Sequence, residues 1–280
     1  RLPSYYLMTA RGCPFRCSYC SQPLGRKYRH LSVGRILREM EILINDYGAR
    51  EIIFRDETFT VDKKHIQDLC QAIIDRGLDR KVDWSCTTRV DCVTPDLLRL
   101  MKKAGCWEIH YGVESGSQRL LDLINKGITL EQVREAVKWT RDVGIEIKGF
   151  FMLALPTESV EESRQTIDFA KSLDIAWAQF TLTVPFPGTP MFDLAKKSGR
   201  FLDKKWENYQ TWAGWAGMEP VYVPENREIA EIQNIQQKAL REFFLRPGVV
   251  MRHMATLIRH PVLIQKYAQG AAALFMTAFE

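Results

Sequence analysis

Short apolar runs rich in β-formers alternate with longer stretches of helical period, the pattern of βα units closing on a parallel sheet. Strands are expected at 5–9, 51–55, 82–87, 108–113, 146–153 and 179–184. Helices follow at about 32–47, 62–76, 95–104, 117–124 with 129–143, 159–173 and 189–198. Thr94 before Pro95 reads as an N-cap with proline at the first helical position, and Thr129 with Gln132 as a capping box. In such a sheet, reactive groups collect at the carboxyl ends of the strands.

The loop after the first strand carries Cys13, Cys17 and Cys20, spaced so that one short segment can surround a single metal centre. A cubic 4Fe-4S cluster bound wholly by protein usually takes four thiolates, and this loop offers three. With no distant fourth ligand, one iron keeps a position open for a small molecule. Gly12 and Pro14 suit a loop that curls around a point. A zinc site from Cys13, Cys17, Cys20 and His30 is the alternative metal reading, although zinc ligands more often come as two close pairs. Cys70, Cys86, Cys92 and Cys106 lie in apolar surroundings and read as core thiols.

The Cys-x3-Cys-x2-Cys spacing, with Tyr19 before the last cysteine, resembles the signature of the radical S-adenosylmethionine (radical SAM) superfamily. The resemblance implies an α/β fold: a partial (β/α)6 TIM-like barrel, here with a mostly helical C-terminal extension. It also implies that SAM chelates the unique iron and is cleaved reductively to a 5'-deoxyadenosyl radical, the cofactor carrying the hard step. Asp56 and Glu57 follow the second strand, where the family carries a motif that contacts the SAM amino group; the Arg-Asp-Glu-Thr-Phe form is similar to that of the cobalamin-associated branch. Either carboxylate could instead cap the following helix.

Arg89, after the third strand, offers a planar fork for a carboxylate of SAM or substrate. Glu114 sits where family members contact the ribose hydroxyls or the methionyl amine, and Ser115 to Ser117 form a small-residue turn beside it. Alternatively, Arg89 and Glu114 pair across neighbouring strand ends. Ala154 stands where the family usually has glycine, ahead of Pro156, Thr157 and Glu158. With Val184 and the turn Pro185 to Pro190, this segment is expected to form an adenine shelf.

The likeness extends over about residues 5 to 200 and leans towards cobalamin-binding enzymes, among them class B methyltransferases and the anaerobic Mg-protoporphyrin monomethyl ester cyclase. No Asp-x-His-x2-Gly motif occurs, so cobalamin would come through a domain upstream of this chain. Residues 1–200 are expected to form the barrel and 201–280 the helical extension, with helices at about 225–245 and from 249 onward. Trp206, Tyr209, Trp212 and Trp215 could line a pocket for a flat or greasy substrate or serve as core, and the basic, apolar tail could touch a membrane surface or pack on the protein.

Seven cysteines, an odd number, and no charged-then-apolar leader suggest a reducing, cytoplasmic setting. A formal charge of +5 among interspersed acids does not call for nucleic acid. The expected activity is cobalamin-assisted methylation or oxidative cyclisation of a small or lipophilic substrate, with electrons from a donor such as flavodoxin or ferredoxin. Alternatives are a methylthiotransferase acting on tRNA or protein, and a non-catalytic iron-sulfur or zinc module.

Overall fold

The computed structural model describes residues 2–202, 205–210, 219–259 and 264. Six strands form one sheet: β1 (Ser4–Leu7), β2 (Glu51–Phe54), β3 (Asp83–Thr88), β4 (Cys106–Glu114), β5 (Glu146–Leu153) and β6 (Trp177–Leu182). They lie side by side in chain order, without the reversal that marks a doubly wound sheet. The first three pairings are parallel, and a bulge between Trp84 and Ser85 shifts the β3–β4 register. This is the expected partial TIM-like barrel.

The helices are α1 (Val33–Asn45), α2 (Lys63–Asp75), α3 (Pro95–Lys103), α4 (Gln118–Leu123), α5 (Leu130–Asp142), α6 (Val160–Ser172), α7 (Pro190–Ala195), α8 (Ile229–Phe244) and α9 (Pro247–Arg259). Their starts follow local chemistry. Thr94 accepts from the Leu97 amide, and the Thr129–Gln132 capping box forms as expected. Asp62, rather than Asp56 or Glu57, caps α2 by accepting from the His65 amide at 3.0 Å.

The chain divides into two compact units. The first holds Arg1–Arg16, Gln22–Val113 and Ile128–Lys148. Its core is built on Phe54, Phe59 and Trp84: the two phenylalanine rings stack at 4.7 Å, and the indole meets Phe54 edge-on at 5.3 Å. The Trp84 indole N–H donates to the Ala104 carbonyl at 2.7 Å, so the ring is buried without an orphaned donor. Cys70, Cys86, Cys92 and Cys106 are buried free thiols in this core.

The second unit holds Cys17–Ser21, Glu114–Gly127 and Gly149–Glu280. Phe151 stacks on Phe180 at 5.2 Å, and Phe243 of α8 meets Phe180 edge-on. Glu242 of α8 accepts from Arg164 at 2.6 Å and from Lys171 at 2.7 Å, tying α8 to α6. Gly116 lies hard against α6: an added Cβ would lie 2.6 Å from the Gln165 carbonyl oxygen and 2.7 Å from the Thr166 Cα.

Two short antiparallel pairs were not foreseen, Ala10–Arg11 with Arg29–His30 and Gly199–Phe201 with Tyr222–Pro224. Segments of two or three residues carry no alternation to read. Trp206 is exposed and lies 5.2 Å from the Tyr209 ring. Trp212 and Trp215 fall outside the described residues, as does the tail beyond α9 except Ile264. On α9, Met251, Met254 and Ile258 are exposed, and Arg252 pairs with Asp174. Among the described residues no helix is long and apolar enough to cross a membrane.

Gly116→Ala should lower the free energy of unfolding by about 1–3 kcal/mol, because its methyl meets helix backbone that cannot yield. Urea unfolding followed by circular dichroism measures it, and a midpoint unchanged from the parent would contradict that packing.

Candidate active site

In the first unit the cysteine loop is fixed at its root by one carboxylate. Buried Asp56 accepts from the amides of Thr9 and Ala10, at 2.6 and 2.9 Å, and from the Thr9 hydroxyl. Burial pushes its pKa up while these bonds pull it down, and the net displacement is upward. The adjacent pair Ala10–Arg11 and Arg29–His30 closes the base of the loop. Gly12 then adopts a φ of +86°, and a Cβ there would lie 2.3 Å from the Lys27 carbonyl oxygen.

Cys13 is buried, with its amide donating to the Gly25 carbonyl at 3.2 Å and its Sγ lying 3.6 Å from the Thr58 hydroxyl. Gln22 donates to the carbonyls of Cys13 and Phe15. Arg89 grips Asp91 through two bonds, at 2.9 and 2.8 Å, and lays its guanidinium 3.8 Å from the Phe15 ring centroid. Glu57 differs from Asp56. The Gly12 amide donates to its carboxylate, and burial raises its pKa, yet buried Oε2 has no hydrogen-bond partner. An orphaned carboxylate oxygen is costly, and an ammonium group would satisfy it.

His30, the fourth ligand of the zinc reading, stacks on His65 at 3.8 Å and lies 3.9 Å from Asp62. Among the described residues no group of three or more His, Cys, Asp or Glu side chains is already gathered as a metal site.

In the second unit Cys17 is buried and Cys20 half-buried, neither in a disulfide. The Ser18 amide donates to the Ile124 carbonyl at 2.8 Å, and the Ser18 carbonyl accepts from the Met191 amide at 3.0 Å. Tyr19 donates its hydroxyl to Glu114 at 2.9 Å, while Lys126 donates to the same carboxylate at 2.8 Å and to the Tyr19 oxygen at 2.9 Å. Since an ammonium can only donate, the phenol proton must point at Glu114. Burial, then the field of Glu114 and the Cys17 and Cys20 thiols, drives the Tyr19 pKa well up, so the hydroxyl stays protonated. Lys126 and Glu114 are almost wholly buried.

Glu114 has a φ of +73° and Ala154 of +60°, two strand ends in a left-handed conformation that side chains avoid. A glycine would reach the Ala154 conformation without strain, which gives the family's usual glycine a backbone reason. Ser115 is fully buried and shares a 3.1 Å hydroxyl contact with Thr166, which also accepts from the Gly116 amide. Val184 packs with Val221 in an apolar cluster that Phe186, Phe201 and Tyr209 flank. Glu158 is fully enclosed after β5: burial pushes it up to about 7, against bonds from Ser163 and the amides of Leu155 and Ala154 and the charge of Arg227.

The family described as "Radical SAM superfamily" matches residues 7–170. The chain belongs to that superfamily. It is 36% identical over 279 residues to an uncharacterized methyltransferase of Pyrococcus horikoshii, covering 99% of this chain and 59% of that protein. It is 31% identical to the anaerobic magnesium-protoporphyrin IX monomethyl ester cyclase of Cereibacter sphaeroides, over 86% of this chain and 38% of that one. The fold is shared with the radical SAM methyltransferase TsrM of Kitasatospora setae, solved with cobalamin and a 4Fe-4S cluster, at a TM-score of 0.68, 18% identity and coverage of 87% and 51%. The chain thus spans only part of the proteins it matches.

Radical SAM enzymes use a 4Fe-4S cluster and SAM, and the residues present fit both. Three reduced thiols stand in one loop, and Glu57 Oε2 lacks the donor that the methionyl ammonium would supply. Lys126 was not singled out from the sequence, because a lysine in the Asn-Lys-Gly turn reads as surface; its partners lie 12 and 107 positions away.

Lys126→Met should cost about 3–5 kcal/mol of stability by leaving Glu114 buried and unpaired. The double variant with Glu114→Gln should recover much of it, a difference that chemical denaturation resolves. Glu158 makes a separate prediction. Its pKa in the folded protein lies above the ordinary carboxyl value of 4.5, so its contribution favours folding below pH 4.5 and is lost as pH rises through about 7. Relative to Glu158→Gln, the parent should lose up to about 3 kcal/mol between pH 4.5 and 7.5, read from urea titrations at both values.

Proposed function

We propose that this chain is the SAM-cleaving part of a cobalamin-assisted methyltransferase or oxidative cyclase acting on a small or lipophilic substrate. The observation that carries the reading is the loop itself: Cys13, Cys17 and Cys20 are in no disulfide, and later in the chain Glu57 carries a buried carboxylate oxygen with no hydrogen-bond partner. Three thiolates would leave one iron open to the amino and carboxylate groups of SAM. The bound cluster would supply the electron that splits the sulfonium and releases the 5'-deoxyadenosyl radical.

The residues of the chain bind, orient and shelter. Glu57 would accept from the methionyl ammonium. Tyr19, its hydroxyl turned to Glu114, presents a fixed aromatic face between two cluster ligands. Arg89 would meet a carboxylate, with Asp91 holding its fork in plane. Glu114 and Ser115 would approach the ribose, and Ala154 with Val184 would border the adenine, because these strand ends carry the positions the family uses.

The names of the relatives support the product classes: one is an uncharacterized methyltransferase, another a magnesium-protoporphyrin IX monomethyl ester cyclase. Cobalamin, which TsrM binds, would be held by residues outside this chain. A low-potential flavodoxin or ferredoxin would deliver the electron.

Anaerobic protein reconstituted with iron and sulfide, then given dithionite and SAM, should release 5'-deoxyadenosine. Liquid chromatography with mass detection should find that product at background in Cys17→Ala and retained in Cys70→Ala, whose thiol is core. No product from the parent protein would defeat the reading.

A further inference from the structure

The turn after β2 places one more polar side chain against the cysteine loop. Thr58 is buried, at 4% exposure, and so is Cys13, at 8%. The Thr58 Oγ1 and Cys13 Sγ atoms lie 3.6 Å apart, although 45 positions separate the two residues in the chain. Backbone bonds hold both ends of this contact. The Cys13 amide donates to the Gly25 carbonyl at 3.2 Å, and Phe59, stacked on Phe54 in the core, donates its amide to the Thr87 carbonyl at 3.0 Å.

The same hydroxyl has a second neighbour. Thr58 Oγ1 donates to the Glu57 carbonyl oxygen at 2.8 Å. A hydroxyl carries one proton and two acceptor lone pairs, so beside a thiol it can accept the S–H and still give its own proton to Glu57. A cysteine bound to iron is a thiolate, which only accepts. One proton then faces two acceptors, and the charged sulfur makes the stronger bond. Rotation about the Cβ–Oγ1 bond redirects the proton without moving a heavy atom, in surroundings dry enough to strengthen the new contact.

We propose that Thr58 is a positioning residue for the cluster, its hydroxyl donating to the Cys13 sulfur once iron is bound and raising the reduction potential. Reduction brings in one electron from a low-potential donor, and the hydroxyl keeps its proton throughout. The added negative charge is shared by the sulfurs, so a donor aimed at one of them favours the reduced form. The inference rests on the cluster reading above and deepens it.

The full chain, reconstituted anaerobically with iron and sulfide, can be poised with dithionite and mediators and followed by electron paramagnetic resonance, a readout independent of SAM cleavage. At the parent's midpoint, the ratio of reduced to oxidised cluster should fall about threefold or more in Thr58→Val, which lacks the donor, and return to the parent value in Thr58→Ser, which restores it. Thr60→Val deletes a buried hydroxyl bonded to Thr88 at 2.5 Å and should match the parent. Should Thr58→Val bind less iron than the parent, Thr58→Ala decides. An unchanged ratio in the variant without a hydroxyl, or an equal shift in Thr58→Ser, overturns the proposal. So does failure of both Thr58→Val and Thr58→Ala to assemble a cluster that the parent assembles, since Thr58 would then be needed for the site itself. A parent that assembles no cluster defeats both this proposal and the reading beneath it.

Discussion

The carboxylate of Asp56 is the fixed point of the first unit. It draws two successive amides and a hydroxyl from the end of β1, and so sets the direction in which the chain leaves the sheet. Gly12 can then turn through a conformation that would drive a side chain into the Lys27 carbonyl, and Cys13 arrives beside Thr58. The neighbouring Glu57 differs, since its buried second oxygen has no donor.

The second unit solves a similar problem with charge. Cys17 to Ser21 is anchored by two backbone bonds and by the Tyr19–Glu114–Lys126 group. Each member satisfies another, which is what makes a buried polar network stabilising rather than costly. The strained backbone at Glu114 and Ala154 sits at strand ends, the level at which barrel folds concentrate chemistry.

Much of the barrel was legible because hydrophobic period and capping are local. The strands at 51–54 and 146–153 fall within a residue of expectation, and the Thr94 and Thr129 caps form as read. β4 runs longer at both ends, from Cys106 to Glu114, and β6 ends at Leu182 rather than 184, because partners in the sheet decide where a strand stops. Arg89 and Glu114, weighed as a pair, bind Asp91 and Lys126 respectively. No periodicity reports which of several nearby charges a side chain will choose.

The order of βα units and the three-thiol loop were set by the sequence alone, since both are written in neighbouring residues. Tertiary structure decided the rest: that Asp56 braces a strand while Glu57 keeps an orphaned oxygen, and that Lys126 joins Tyr19. Those outcomes depend on groups brought together across tens of residues, where burial strengthens every electrostatic choice and penalises each group left without a partner.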